Sequence, residues 1–549
     1  MREVPVVTAR AAAALIPDGA TVTVSSSSAL GCPDTVLHGI GERFAEEGAP
    51  AGLTTVHPIA AGDMYGVAGI DHIARPGLLS RVIAGSYPSG PSSQQPPRVW
   101  QMIERDEVEA YNLPSGVIFQ MHRAGAAGQP GVLTHVGLET FVDPRQDGGR
   151  MNQRTVADLV ELMNFRGQNW LFFPSVRPDV AIIRATTADP QGNLTFEEEG
   201  SALGALDQAY AAHNNGGIVI AQVKKLAPAA TQDPHLVRVP GILVDAIVVD
   251  ENQWQTTQTP YDPAISGQVR RSLDVIEPAP WGLEKVIARR AALELHQHDI
   301  VNLGFGISAL VPRILVEERL AEEVTWVIEQ GAVGGVPLTG FAFGCALNPQ
   351  ALMPSIDQFT LLQGAGFHRA MLSFLEVDRE GNVNVHHLPG RRHVTAGVGG
   401  FADITSRARA IVFSGGFTAG KRRIGIDGGR LDIEQDGAIP KFVEKVGAVT
   451  FSGRRALEQG QQVLYVTERC VIELRPEGLT VVEIAPGVDL SADVLARAAF
   501  PLRVADDLRP MDRRIFDPAP LGLVLKPTQP LSSAGSTGAN TLTAQGANA

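Results

Sequence analysis

Residues 324–348 read VTWVIEQGAVGGVPLTGFAFGCALN. The stretch opens on a short apolar run, 324–328. It presents one carboxylate, Glu329, and then breaks into glycine at Gly331, Gly334, Gly335, Gly340 and Gly344. A β-rich run that stops at a charged residue and a Gly-rich turn predicts a buried strand ending in a loop. Ligands of α/β sheets bind at such carboxyl ends, and glycines there let a bulky ligand approach the backbone. Glu329 is therefore a candidate nucleophile. A solvated loop glutamate fits the same local string, because short motifs over-predict. The rest of the chain decides between the two.

A chain of 549 residues exceeds one core, so at least two domains are expected. A hydrophobic fraction of 44% and a charged fraction of 19% suit a globular protein. The net charge of -13 argues against general nucleic-acid binding, which needs a basic face. Cys32, Cys345 and Cys470 lie far apart with no CxxC pair, which fits a reducing cytoplasmic location and neither a disulfide scaffold nor a Cys-based zinc site. No apolar run approaches the ~18 residues of a membrane span, so no membrane partner is expected. The N-terminus, with Arg10, Asp18 and Gly19, has no continuous apolar signal region.

The chain repeats itself. Residues 11–16 read as a helix and 20–24 (ATVTV) as a strand. A small-residue loop follows at 25–31, and Pro33 opens an amphipathic helix through Phe44. The same order returns as helix 290–295, strand 300–303, loop 304–308 and a helix opened by Pro312 through Leu320. One constant offset relates Ala12 to Ala291, Val22 to Val301, Pro33 to Pro312, Val36 to Leu315 and Leu37 to Val316. A second echo pairs DVAIIRATTADPQGNLT (179–195) with HRAMLSFLEVDREGNVN (368–384). Each is an apolar strand followed by D-x-x-G-N, in which Asp starts a turn and Gly supplies positive φ. Strands at 217–221 and 410–413 follow. The collinear order predicts a two-fold duplication. The second offset is smaller, so the first half carries extra chain at about residues 60–165, whose role the pattern leaves unassigned. The fold expected is α/β: two similar open α/β domains from an internal duplication, at 1–275 and 281–520. The Pro-rich stretch 259–280 forms the boundary. Residues 527–549, almost without charge, read as a disordered tail.

Several chemistries lack their residues. No GxxxxGK[ST] or GxSxG occurs. Gly304-Phe305-Gly306 opens like a dinucleotide fingerprint, but Ala309 stands where the third Gly belongs. His386, His387 and His393 have no carboxylate spacing that suggests a metal, so surface or hydrogen-bonded core roles are expected and no metal site is assigned. A carboxylate nucleophile needs no base, because at its ordinary pKa of about 4.3 it is ionised at neutral pH. One Glu in a glycine pocket suffices to attack an activated acyl group, with backbone N–H donors stabilising the oxyanion.

Over residues 6–521 the chain resembles the family I CoA-transferases, in the single-chain form seen in acetate and propionate CoA-transferases. The strings that carry the resemblance are VNLGFGI (301–307), IEQGAVGGVP (328–337), EVDREGNVNV (376–385) and AGVGGFADI (396–404). With them come EAYNLPSGVI (109–118), LETFVDPRQDGGRMN (138–152), TTADPQGNLTFEEE (186–199), GGIVIAQVKKL (216–226) and GLEKVIARRAALEL (282–295). The resemblance implies a ping-pong transfer of coenzyme A between carboxylic acids, in a site between the two domains. Coenzyme A is then a substrate, and no permanently bound cofactor is needed. Glu329 matches the family's catalytic glutamate. Gly304, Phe305, Gly306, Ile307 and Ser308 match a segment that contacts CoA, and Gly399 and Gly400 match glycines near the thioester. Lys421 matches a phosphate-contacting position in some relatives, although a solvated role fits it equally, and Asn382 reads as a turn residue. A homo-oligomer, dimer or tetramer, is implied as well.

The chain departs from the family pattern in three places. The usually Gly-rich first loop is Ser25-Ser26-Ser27-Ser28-Ala29, where a backbone N–H of Ser28 or Ala29 remains a candidate oxyanion donor. Ser115 stands where relatives commonly carry Gln, and TLLQGAGFH (360–368) replaces a more acidic string. These changes fall around the acyl and CoA pockets and bear on the substrate more than on the reaction. A CoA-thioester hydrolase using the same glutamate and a non-catalytic acyl-CoA-binding protein are the alternatives, with an NAD dehydrogenase more distant. The sequence does not name the acyl group.

Overall fold

The structure is a computed structural model and describes residues 2–88, 96–388 and 397–531. His393 and residues 532–549 of the expected tail lie outside them. The first half folds around seven parallel strands: β1 (Thr21–Val24), β2 (Leu53–His57), β3 (Leu79–Ala84), β4 (Glu109–Asn112), β5 (Val180–Ala188), β6 (Ile218–Leu226) and β7 (Ala246–Val249). Their spatial order is β4-β3-β2-β1-β5-β6-β7. β5, VAIIRATTA, is buried at every position, as expected of a central parallel strand covered on both faces.

The second half repeats the central five. β8 (Ile300–Leu303), β9 (Thr325–Val327), β10 (Arg369–Ser373), β11 (Ala410–Ser414) and β12 (Gln462–Val466) run parallel in the order β9-β8-β10-β11-β12. That order reproduces β2-β1-β5-β6-β7 strand for strand. The two D-x-x-G-N turns are also the same object. Asp189 Oδ1 accepts from the N–H groups of Gln191 and Asn193, and Asp378 Oδ1 from those of Glu380 and Asn382. Asn193 Oδ1 then accepts from Gly241 N–H at 2.9 Å, and Asn382 Oδ1 from Gly453 N–H at 3.0 Å. Asn382 is thus a turn residue.

Helix boundaries moved by a few residues for local reasons. α1 (Asp34–Glu47) follows Pro33 and runs beyond Phe44, until Gly48 closes it at φ 72°. The helix expected at 290–295 lies earlier, at Leu283–Ala292, and the one opened by Pro312 ends at Glu317 rather than Leu320. The start of the expected tail is tied down: Lys526–Pro527 pairs in parallel with His296–Gln297.

The extra chain of the first half has a definite place. It adds β3 and β4 to the sheet edge and supplies α2 (Ser115–Ala126), which packs against α4 (Ser355–Gln363) of the other half. α3 (Val311–Glu317) and α5 (Phe401–Thr405) complete the helices near the site. Phe119 on α2 meets Phe359 on α4 with ring centroids 5.8 Å apart. They belong to one apolar cluster that runs from Val56, Tyr111 and Val117 to Val327, Phe413 and Tyr465. The halves therefore share a core.

The equivalence of the two turns is testable. Asn193→Ala and Asn382→Ala each leave a glycine N–H and a turn unsatisfied, at a cost of roughly 1–2 kcal/mol. Denaturant midpoints should fall by similar amounts in the two variants. A large fall in one and none in the other would contradict the equivalence.

Candidate active site

Glu329 stands two residues beyond β9, in a tight turn closed by Gly331 N–H donating to Ile328 O at 2.9 Å. Gly331 and Gly335 serve the turn, where there is no room for a side chain. A methyl group on Gly331 would meet Met353 O and Ser201 Oγ, and one on Gly335 would meet Leu347 O and Asn348. Gln330 is the anchor: its carbonyl accepts from Ser201 Oγ and from Ser355 Oγ (3.0 Å). Its Nε2 donates to Glu329 Oε1 at 3.2 Å and to Ser27 Oγ at 3.3 Å. Gln358 Nε2 fixes the Ile328 carbonyl at 3.1 Å.

The glycine that does admit close approach comes from α5's N-terminus. A methyl on Gly400 would land on Glu329 Oε2 and on the Phe359 ring, and one on Gly399 would lie 3.9 Å from Oε1. Burial pushes the Glu329 carboxyl up to about 7, against the pull of Gly400 N–H and the Gln330 amide. This corrects the expectation of a fully ionised carboxylate at neutral pH. Desolvation disfavours the charge, and the two donors offset only part of it.

The Gly397–Asp403 segment (397–403) is held by the extra chain of the other half. Gly399 N–H donates to Gly85 O (2.8 Å), and Gly399 O accepts from Ser115 N–H (3.0 Å). Asn112 is buried. Its Nδ2 donates to the carbonyls of Ala84 (2.9 Å) and Gly85 (2.7 Å), and its Oδ1 accepts from Val398 N–H (3.1 Å). Gly116 N–H donates to Asp403 Oδ2 at 3.0 Å. Ser115 thus acts through its backbone; its hydroxyl donates to Pro58 O at 2.6 Å.

The serine loop borders the same turn through the Ser27–Gln330 contact. Ser28 takes φ 56°, and its N–H donates to Ala60 O at 2.6 Å. Its carbonyl accepts from Gly62 N–H at 3.0 Å. In a trans peptide the next N–H, that of Ala29, points the opposite way, and among the described residues it has no protein acceptor. Of the two donors suggested by sequence, Ala29 is the one left available. Buried Arg184, paired with Glu199, fixes this loop by donating to the carbonyls of Ala29 and Cys32, each at 3.2 Å.

Gly304, Phe305, Gly306, Ile307 and Ser308 leave the end of β8, the strand beside β9. Gly304 N–H donates to Met371 O (2.8 Å), and Ser308 N–H to Ser373 Oγ (3.3 Å). Phe305 is 70% exposed and meets Phe343 edge-on, with centroids 5.2 Å apart. Lys421 is exposed, in the link from Thr418–Ala419 to Arg423–Asp427. His386 contacts the Phe141 ring and Thr450 Oγ1 (2.9 Å). Among the described residues no cluster of metal-ligating side chains occurs, and no helix is long and apolar enough to cross a membrane. Sequence reasoning did not assign Asn112, Gln330, Arg184 or Asp403. All four lie inside quoted strings, but only the fold shows what they hold.

The model of the coenzyme A transferase family matches residues 6–250. Acetate CoA-transferase YdiF of Escherichia coli K12 is 39% identical over 524 residues, 95% of this chain and 97% of that protein. Caffeate CoA-transferase of Acetobacterium woodii is 41% identical over 515 residues, 93% and 97% of the two chains. A crystal structure of the acyl-CoA transferase YdiF from E. coli O157:H7, in thioester complex with CoA, superposes with a TM-score of 0.88. It is 38% identical and covers 96% of this chain and 98% of that one.

Two outcomes follow from the site. The backbone of Gly400 (φ -86°, ψ 5°) suits any residue, so Gly400→Ala acts by steric displacement of the Glu329 carboxyl. CoA exchange should fall about 100-fold, the scale of an ångström-level misplacement, with an unchanged circular dichroism spectrum; unaltered turnover would contradict the contact. Second, a carboxyl with a raised folded-state pKa holds its proton more tightly in the folded than in the unfolded chain. Stability contributed by that proton is present at low pH and is lost as pH rises from the ordinary glutamate range through about 7. Glu329→Gln should therefore be more stable than the wild type at pH 8, by on the order of 2 kcal/mol, and no more stable near pH 4. Equal denaturation midpoints at both pH values would contradict it.

Proposed function

The chain belongs to the family I CoA-transferases, and from that premise we propose that it moves CoA from a short-chain or otherwise small acyl-CoA to a carboxylate such as acetate, through a glutamyl-CoA thioester on Glu329. The observation that supports this most is the half-buried Glu329 carboxyl, flanked by Gly400 and joined through the Gln330 amide to the serine loop of the other half. An ionised Glu329 oxygen attacks the thioester carbonyl, the C–S bond breaks, and CoA thiolate leaves an acyl-glutamyl anhydride. The thiolate attacks the glutamyl carbonyl of that anhydride and releases the first acid as its carboxylate. The second carboxylate attacks the glutamyl thioester and expels the thiolate, which then takes the new acyl group and frees Glu329. No net proton, metal or nucleotide is consumed.

Each carbonyl attacked develops an oxyanion, and the Ala29 N–H is the donor the loop offers it. Gly304, Phe305, Gly306, Ile307 and Ser308 form the CoA side with Gly399 and Gly400, and Lys421 supplies a cation for its phosphates. Binding of this remote body supplies energy realised in the transition state. The names of the two curated relatives span a two-carbon acid and an aryl acid, so the acceptor range here includes acetate and extends to larger acids. A cytoplasmic homo-oligomer is the form we assign, in keeping with three buried free cysteines.

The experiment is isotope exchange between labelled acetate and acyl-CoA. Wild type should exchange, and Glu329→Gln and Glu329→Ala should lose at least about 1,000-fold, as expected for removal of a nucleophile. Full exchange by either variant would refute the role of Glu329. CoA release that proceeds equally fast without an acceptor acid would mark a hydrolase instead.

A further inference from the structure

Four aromatic rings stand between the CoA segment and the serine-loop side of the site. Phe305 meets Phe343 at 5.2 Å and 87°, and Phe341 meets Tyr65 at 4.8 Å and 67°. We infer that these rings form an acyl subsite for flat apolar acids, aryl acids above all, with Phe341 and Tyr65 as its specificity-determining residues. The inference rests on the reading of Glu329 as the nucleophile.

Phe341 and Phe343 lie on the tip of a hairpin. Its strands, Val336–Pro337 and Ala346–Leu347, pair antiparallel, and Leu338 N–H donates to Cys345 O at 3.0 Å. The tip, 339–344, reaches the residue beside the nucleophile. A methyl on Gly344 would lie 3.3 Å from Gln330 Nε2, the nitrogen that donates to Glu329 Oε1. Arg313 fixes the tip by donating to Thr339 Oγ1 at 2.8 Å. The base of the hairpin packs on the other half: Leu338 and Cys345 share an apolar cluster with Leu30, the residue after Ala29. Tyr65 comes from that half as well, on the chain that backs the serine loop. Gly62 N–H donates to Ser28 O at 3.0 Å, and Tyr65 N–H donates to Asp63 Oδ1 at 2.7 Å. The next residue, Gly66, is seated on the Trp254 ring, which a methyl there would meet at 2.5 Å. Tyr65 therefore has a fixed place opposite Phe341.

A thioester carbonyl carries two substituents. In the reaction above its sulfur lies toward residues 304–308, Gly399 and Gly400, all of the second half, and its oxygen toward Ala29 N–H. The acyl body is left the serine-loop side, where Tyr65 and Phe341 stand. Phe341 is 47% exposed and Phe305 70%, and exposed rings grouped beside a reacting carboxyl mark a surface that a ligand covers. Both pairs meet edge to face, so each forms a corner in which a third ring can stack on one member and present its edge to the other. The tip reads TGFAFG and holds no charge, so it offers no anchor to an acyl chain with a second carboxylate. It lies one amide beyond the Glu329 carboxyl rather than against it, which suits a ring carried on a short spacer.

The test compares acceptor acids with acetyl-CoA as donor, reading kcat/KM for 3-phenylpropionate, 3-cyclohexylpropionate and propionate. Wild type should favour the phenyl acid over propionate by about tenfold or more, and over its cyclohexyl counterpart by about threefold. Phe341→Ala should lower the phenyl-over-propionate ratio about tenfold. Phe341→Leu and Tyr65→Leu keep an apolar wall without the ring. They should lose the phenyl-over-cyclohexyl preference and retain the preference for both large acids over propionate. An equal fall for all three acids in Phe341→Ala would assign the ring to CoA or to the hairpin and overturn the inference. A wild type that does not favour the phenyl acid would overturn it too. Exchange surviving in Glu329→Gln would instead overturn the nucleophile reading, which separates the two failures.

Discussion

An acid side chain must be taken out of water without being given a cation. That constraint shapes this molecule. Among the described residues Glu329 has no basic partner; it has the Gln330 amide and the Gly400 backbone N–H. A salt bridge would hold the carboxylate in its charged form and blunt it. Desolvation with two modest donors does the reverse: the free carboxylate is costly, and conversion to a neutral acyl derivative removes the cost. The same feature places its ionisation near neutrality, where ionised and protonated forms coexist.

Such a group persists only if its surroundings are rigid, and the duplication provides the rigidity. Two sheets that share the order of five central strands are joined by hydrogen bonds such as Gln330–Ser27 and Val398–Asn112. The turn bearing Glu329 belongs to one half and the serine loop to the other, and Gln330 bridges them. The Gly400 segment is clamped by Gly85, Asn112, Ser115 and Gly116 of the extra chain. That insertion thereby acquires a role: it carries across the interface the hydrogen bonds that set the backbone against Glu329. Phe119 and Phe359 fill the same junction with apolar contact.

Much of this was legible in the residues. Glu329 at a strand end, the repeated D-x-x-G-N turns and the α/β alternation are local patterns with local causes, and the fold reproduces them. Three things were not. Gly331 and Gly335, after Glu329, read as space for a ligand, yet each packs against a neighbouring backbone carbonyl; the glycine that faces the carboxyl, Gly400, lies 71 positions away. Ser28 and Ala29 were equivalent as donors until β-bridge pairing committed Ser28 N–H to Ala60. The charge state of Glu329 was assigned from its ordinary pKa, which holds for a solvated glutamate; burial is a property of the tertiary fold. Asn112 and Asp403 escaped because their partners sit on the opposite half, at sequence separations that no window spans.

The most direct measurement is a crystal structure of the protein soaked with an acyl-CoA. Continuous density should join the Glu329 carbonyl carbon to the CoA sulfur, with the carbonyl oxygen within hydrogen-bonding distance of Ala29 N–H. Coenzyme A bound without that linkage, with the Glu329 carboxyl turned away from its sulfur, would contradict the account.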